Sequence, residues 1–110
     1  MKYFIFLLLT MISTHVLAQS TWHTSKVSEI YPLADGRLVV IFQSDHPNCT
    51  NGNSPNYYFV GEGYNGVTKV GFNNMYSALL TAGAAGKDVA INFDSSSPDC
   101  DINRLYVSFQ

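Results

Sequence analysis

The chain has 110 residues, six Lys and Arg against eight Asp and Glu, a formal net charge of −2 and two cysteines. That length holds one small domain and excludes a second core. Lys2 apart, the basic residues Lys26, Arg37, Lys69, Lys87 and Arg104 stand singly, which argues against nucleic acid and against polybasic membrane attachment.

Residues 1–18, MKYFIFLLLTMISTHVLA, read as an export signal. Lys2 supplies the positive start, and Tyr3 to Ile12 the apolar run, broken by Thr10. Val16 and Ala18 are the small residues of a cleavage site. The run is too short to span a bilayer comfortably, and nothing later resembles a span. A single domain is therefore expected over residues 19–110, secreted or periplasmic. In that compartment Cys49 and Cys100 can pair, with free thiols or interchain bonds as the alternatives. A bridge between them closes a loop of about fifty residues and is worth roughly 4 kcal/mol by chain entropy.

The first strand is expected over Trp22 to Tyr31, with irregular alternation that allows a bulge or a bend. Pro32 ends it, and Ala34-Asp35-Gly36 makes a turn. Arg37 to Gln43 is a second strand, and its centre, Leu38 to Phe42, is apolar on both faces, as in a central strand. Ser44 to Asn56 is a long polar loop, a length that points to function. Tyr57 to Gly61 is a third strand, Glu62 to Gly66 a turn, and Val67 to Gly71 a short returning strand. The period then changes to helical over Asn73 to Ala85. Asn73 or Asn74 caps the helix, and Met75, Leu79 and Ala82 form its buried stripe, with Tyr76, Leu80 and Gly83 beside them. Gly86 stops it. Lys87 to Asp94 returns to period two through Val89, Ile91 and Phe93. The polar loop Ser95 to Asp101 carries Cys100, and Leu105, Val107 and Phe109 alternate in the last strand.

This order, β-β-β-α-β-β, predicts a mostly β domain with one helix: a small OB-like barrel with the helix at one end. An antiparallel sheet with one packed helix is the alternative. The segment FNNMYSALLTAGAAGKDVAINF, Phe72 to Phe93, resembles B subunits of bacterial AB5 toxins, the subtilase-cytotoxin type especially, and similar small exported bacterial proteins. The shared features are a Tyr-containing helix after an aromatic residue, a Gly stop and a V-x-I strand. The resemblance implies a secreted homo-oligomer, a pentamer, that binds sugar chains on host cells. No sugar-contacting residue of that family maps onto a motif here, and the Ser44–Asn56 loop departs from its pattern.

The residues themselves offer an aromatic candidate. Tyr57, Tyr58 and Tyr64 with Asn65, and Asn56 nearby, combine flat rings for the C–H faces of sugars with amides for hydroxyls. The plain structural reading is that alternate tyrosines pack in the sheet and that Asn65-Gly66 is a turn. Asp94, Asp99 and Asp101 around Ser95-Ser96-Ser97 are rich in oxygen but lack the spacing of a calcium loop. Ser44-Asp45-His46 has the residue types of a catalytic triad. Sequence neighbours rarely converge that way, and no G-x-S-x-G elbow is present. His23 and His46 lack metal-ligand spacing, and there is no C-x-x-C. The sequon Asn48-Cys49-Thr50 has a cysteine at its centre and reads as chance. The expectation is a binding module without catalysis, metal or cofactor. Its partner is a glycan or, alternatively, another exported protein met through a sheet edge or an apolar patch.

Overall fold

The structure, a computed structural model, describes residues 19–110, and the export signal expected over 1–18 lies outside the described residues. Its elements are β1 (Ser20–Pro32), β2 (Leu38–Phe42), β3 (Tyr58–Val60), α1 (Lys69–Ala85), β4 (Asp88–Asp94) and β5 (Ile102–Val107). The strands form one sheet in the order β3-β2-β1-β4-β5, antiparallel throughout.

The long strand β1 serves both halves of the sheet. Ser20 to Lys26 pair with β4, and Val27 to Pro32 pair with β2. The register shifts between Val27 and Glu29, and this bulge resets which residues face inward. Ahead of it His23 and Ser25 lie opposite the core residues Ile91 and Val89. Beyond it Ile30 packs on the core opposite Val40.

The strands do not close. β3 is three residues long, too short to carry a ladder to β5. The edges meet through one backbone hydrogen bond, Phe59 N to Asp99 O at 3.3 Å. Side-chain amides do the rest: Asn65 Nδ2 donates to Asp101 O at 2.9 Å, and Asn103 Nδ2 donates to Asn65 O at 2.6 Å. The OB-like barrel expected from the element order is therefore corrected to an open five-stranded antiparallel sheet with one helix. The likeness to toxin B subunits, drawn on Phe72 to Phe93 and on the element order, required that barrel and is corrected with it.

The helix begins four residues before the expected Asn73, in the segment read as a returning strand. Thr68 is its cap, with extended backbone and a side chain that accepts from Gly71 N at 3.1 Å. Met75, Leu79 and Ala82 are the buried stripe, and Gly86 ends the helix at a φ of 64°. They meet Leu38, Val40 and Phe42 of β2, Tyr58 and Val60 of β3, and Val89, Ile91 and Phe93 of β4 in one core. Each large side chain so buried contributes about 1.5–3 kcal/mol. Cys49 and Cys100 are bonded, with Cα atoms 5.8 Å apart. The bridge ties the loop after β2 to the loop before β5, across the side where the sheet stays open.

Candidate functional site

The two adjacent tyrosines of β3 go opposite ways, because side chains alternate along a strand. Tyr58 points inward and is 0% exposed. Its ring meets Phe42 at 5.2 Å and Phe93 at 5.3 Å and stacks on His23 at 6.0 Å. Its hydroxyl accepts from His46 N at 2.9 Å. The expectation that Tyr58 contacts a ligand is corrected: the residue is a core aromatic whose polar end is already satisfied.

Tyr57 and Phe59 point to the side away from the core, and both are half-buried. Tyr57 meets Tyr31 edge to face at 6.1 Å and Phe59 at 6.5 Å. Register explains the gathering, since Tyr31 pairs with Val39 and Val39 with Phe59, one row across three strands. Arg37, just before β2, continues the strip. Its guanidinium lies 4.8 Å from the Phe59 ring centre and 4.9 Å from that of Tyr64. Tyr64, 42% exposed, closes the row.

Two carboxylates fix Arg37. Its Nε donates to Asp35 Oδ2 at 3.0 Å and its Nη1 to Asp99 Oδ2 at 3.2 Å. Hydrogen bonds from the Arg37 backbone N–H and then from its guanidinium hold the Asp35 carboxyl below the ordinary aspartate value. The Tyr31 hydroxyl donates to Glu29 Oε2 at 2.8 Å, and that bond raises the phenol. One cation thus stands among three carboxylates. The strip is aromatic and slightly acidic, and it presents rigid ring faces with little rotamer entropy left to lose on binding.

Asn65 does not join the strip through its side chain. Its backbone is left-handed, at a φ of 50°, and its amide is engaged at the start of β5. Asn56 is engaged as well, with Nδ2 donating to Cys49 O at 2.7 Å. Sequence reasoning missed Tyr31, Phe59 and Arg37. The usable signal was the hairpin: a register fixed at the Asp35-Gly36 turn puts Tyr31, Val39 and Phe59 in line.

The other constellations disperse. Ser44 Oγ donates to Ser25 Oγ at 3.0 Å, the Asp45 carboxylate accepts from Asn56 N at 3.2 Å, and His46 Nδ1 accepts from Asn48 N at 3.0 Å. The three side chains bond outward and form no relay with one another. Asp94 takes the N–H of Gln19, Asp99 holds Arg37, and Asp101 takes the Ser97 hydroxyl at 2.6 Å. Among the described residues no three His, Cys, Asp or Glu side chains gather as metal ligands. No protein-family model, curated protein or solved structure matches the chain.

Proposed function

We propose that the chain is an exported, non-catalytic module that binds glycan on the strip formed by Tyr31, Tyr57 and Tyr64. The observation that carries this reading is the continuous row of rings, anchored by Arg37, on the side of the sheet opposite the helix. Sugar rings stack their C–H faces on such surfaces, and tyrosine hydroxyls read the edge. Export is supported by the composition of residues 1–18 and by a buried cystine of the kind that forms in oxidising compartments. The test is a glycan array with the wild type and a Tyr31→Ala, Tyr64→Ala variant. The double variant is expected to keep its melting temperature within a few degrees and to lose binding. Undiminished binding by a folded double variant overturns the reading.

A second reading follows from the outer edge of β5, which no strand pairs among the described residues, and the exposed Tyr106 and Phe109 near it. In that reading the partner is an exported protein that adds a strand. A proline at the free edge of β5 separates the two, since it blocks strand addition and leaves the strip intact.

A further inference from the structure

A second feature lies on the other half of the same sheet face. A cavity of about 160 Å³ opens there, lined by Phe93 and by the polar residues Ser20, Asn65, Asn92, Asp94, Asn103 and Arg104. The lining comes from β1, β4 and β5, with Asn65 reaching in from the segment before α1. Register places Trp22, Asn92 and Arg104 in one row. The register of β5 shifts beside Asn92 and Phe93, which inserts Asn103 as an extra residue and turns its amide toward Asn65.

Asn92 is the informative member. It is 3% exposed, a rare setting for an amide. Its Nδ2 donates to Ser20 Oγ at 2.6 Å, and among the described residues no donor meets its Oδ1. That oxygen is not sealed in: the one fully enclosed polar side-chain atom without a partner among the described residues is Asp101 Oδ1. An almost buried acceptor kept open on a cavity is the group a ligand hydroxyl satisfies.

The other lining groups are also in hand. Asn65 and Asn103 each donate one amide bond to the protein, and among the described residues no donor meets their amide oxygens. Asp94 Oδ1 collects the Gln19 and Ser96 N–H groups, both at 2.9 Å, and the Ser96 hydroxyl, while among the described residues no donor meets Oδ2. Burial raises the Asp94 carboxyl, but the bonds from Ser96 and Gln19 outweigh it and keep the group ionised. Arg104 forms no ion pair among the described residues. Its guanidinium lies 5.3 Å from the Trp22 ring centre, and Trp22 lies 5.8 Å from Tyr106.

One carboxylate and one guanidinium cancel, so the cavity favours neither an anion nor a cation. Open acceptors beside a fork of donors suit hydroxyl groups, each of which donates and accepts. Beyond the lining, the exposed rings of Trp22, against Arg104, and of Tyr106 offer a neighbouring apolar surface for C–H faces. The volume is below the roughly 300 Å³ at which pockets for drug-sized ligands begin, so it takes one ring edge and not a chain. We propose that this cavity is a subsite for a single neutral sugar residue, either free or at the end of a chain. The inference rests on the glycan reading above but uses different residues, of which Asn65 alone adjoins the strip, next in the chain to Tyr64.

The test is an NMR titration of residues 19–110 with glucose, galactose, mannose and N-acetylglucosamine, and with glucuronic acid and glucosamine as charged controls. At least one neutral sugar is expected to shift the side-chain amides of Asn92 and Asn103 and the indole of Trp22. Arg104→Gln and Asp94→Asn each weaken that response about tenfold, the loss of one charge-assisted bond. The Tyr31→Ala, Tyr64→Ala variant leaves it unchanged. An oligosaccharide ending in the same sugar binds more tightly if the chain end is the ligand and more weakly if the free sugar is. Absence of these shifts with every neutral sugar overturns the subsite, as does equal or tighter binding of a charged control. Array binding lost in the tyrosine variant but intact in Arg104→Gln also overturns it and leaves the glycan reading standing. The reverse pattern overturns the strip and keeps the subsite.

Discussion

The rings of His23 and His46 meet edge to face with centres 5.6 Å apart. His46 also lies against Phe93, at 5.5 Å. Burial lowers the His46 imidazole below its ordinary value, and the neighbouring His23 lowers it further. Its Nδ1 accepts the Asn48 N–H, a bond that protonation there removes.

Stability therefore falls on acidification. The unfolded chain takes up this proton near pH about 6.5, before the folded one does, so the folded state loses ground as the pH drops through that value toward the lowered one. Asp101, raised by burial, acts in the opposite sense in the more acid range above the ordinary aspartate value. Melting temperatures of the wild type are expected to decline from pH 7.5 to 5.5, with a shallower slope in His46→Gln. Equal slopes refute the assignment.

The Cys49→Ser, Cys100→Ser variant is expected to lose about 2–4 kcal/mol. Denaturant titration reads it as a lower midpoint. The bridge spans 51 residues of sequence and joins loops that hold the two edge strands. Proteolysis of the variant is expected to start within Ser44–Asn56, whose fold also depends on Asn51 Nδ2 reaching Tyr57 O.

Gly61 owes its identity to Arg37. A Cβ there would stand 2.6 Å from Arg37 Cγ, near the root of that side chain. Gly61→Ala must displace the guanidinium from between Phe59 and Tyr64, and overpacking of this kind costs about 1–3 kcal/mol. The expected sign in a glycan assay is weaker binding, with a Tyr64 ring whose NMR signals broaden or move. Unchanged Phe59 and Tyr64 resonances would contradict the packing described.

Tyr58 and Tyr64 separate folding from recognition. Tyr58→Phe strips the acceptor from the His46 N–H and is expected to cost about 1–3 kcal/mol. Tyr58→Ala adds a core cavity and costs about 3–5 kcal/mol. Tyr64→Ala, at an exposed ring, stays within about 1 kcal/mol of the wild type. Chemical denaturation of the three variants checks the order.

Much of the secondary structure was legible because apolar residues keep a period of two in Val89, Ile91 and Phe93 and a helical one in Met75, Leu79 and Ala82. The helix start was not. Val70 and Gly71 are poor helix formers, and the cap is a threonine that no apolar period marks. Closure was misjudged for a different reason. The order of elements does not encode how far β3 extends, and three residues cannot reach β5. At the site, Tyr57 and Tyr58 are equal in the sequence; only pairing of Tyr58 with Val40 decides which of them is inside. Arg104 and Trp22, far apart in the chain, needed the pairing of β4 with both β1 and β5 to become neighbours.

Val39 and Ile41 are only 2% and 3% exposed although they lie on the face away from the helix. Val39 is flanked by Tyr31 and Phe59, so these rings form a roof over apolar side chains as well as a surface for a partner. Natural variation in specificity would then be channelled. Changes at the half-buried Phe59 uncover Val39 and are purged for misfolding, whereas Tyr31 and Tyr64, both 42% exposed, are free to drift and to retune what the molecule recognises.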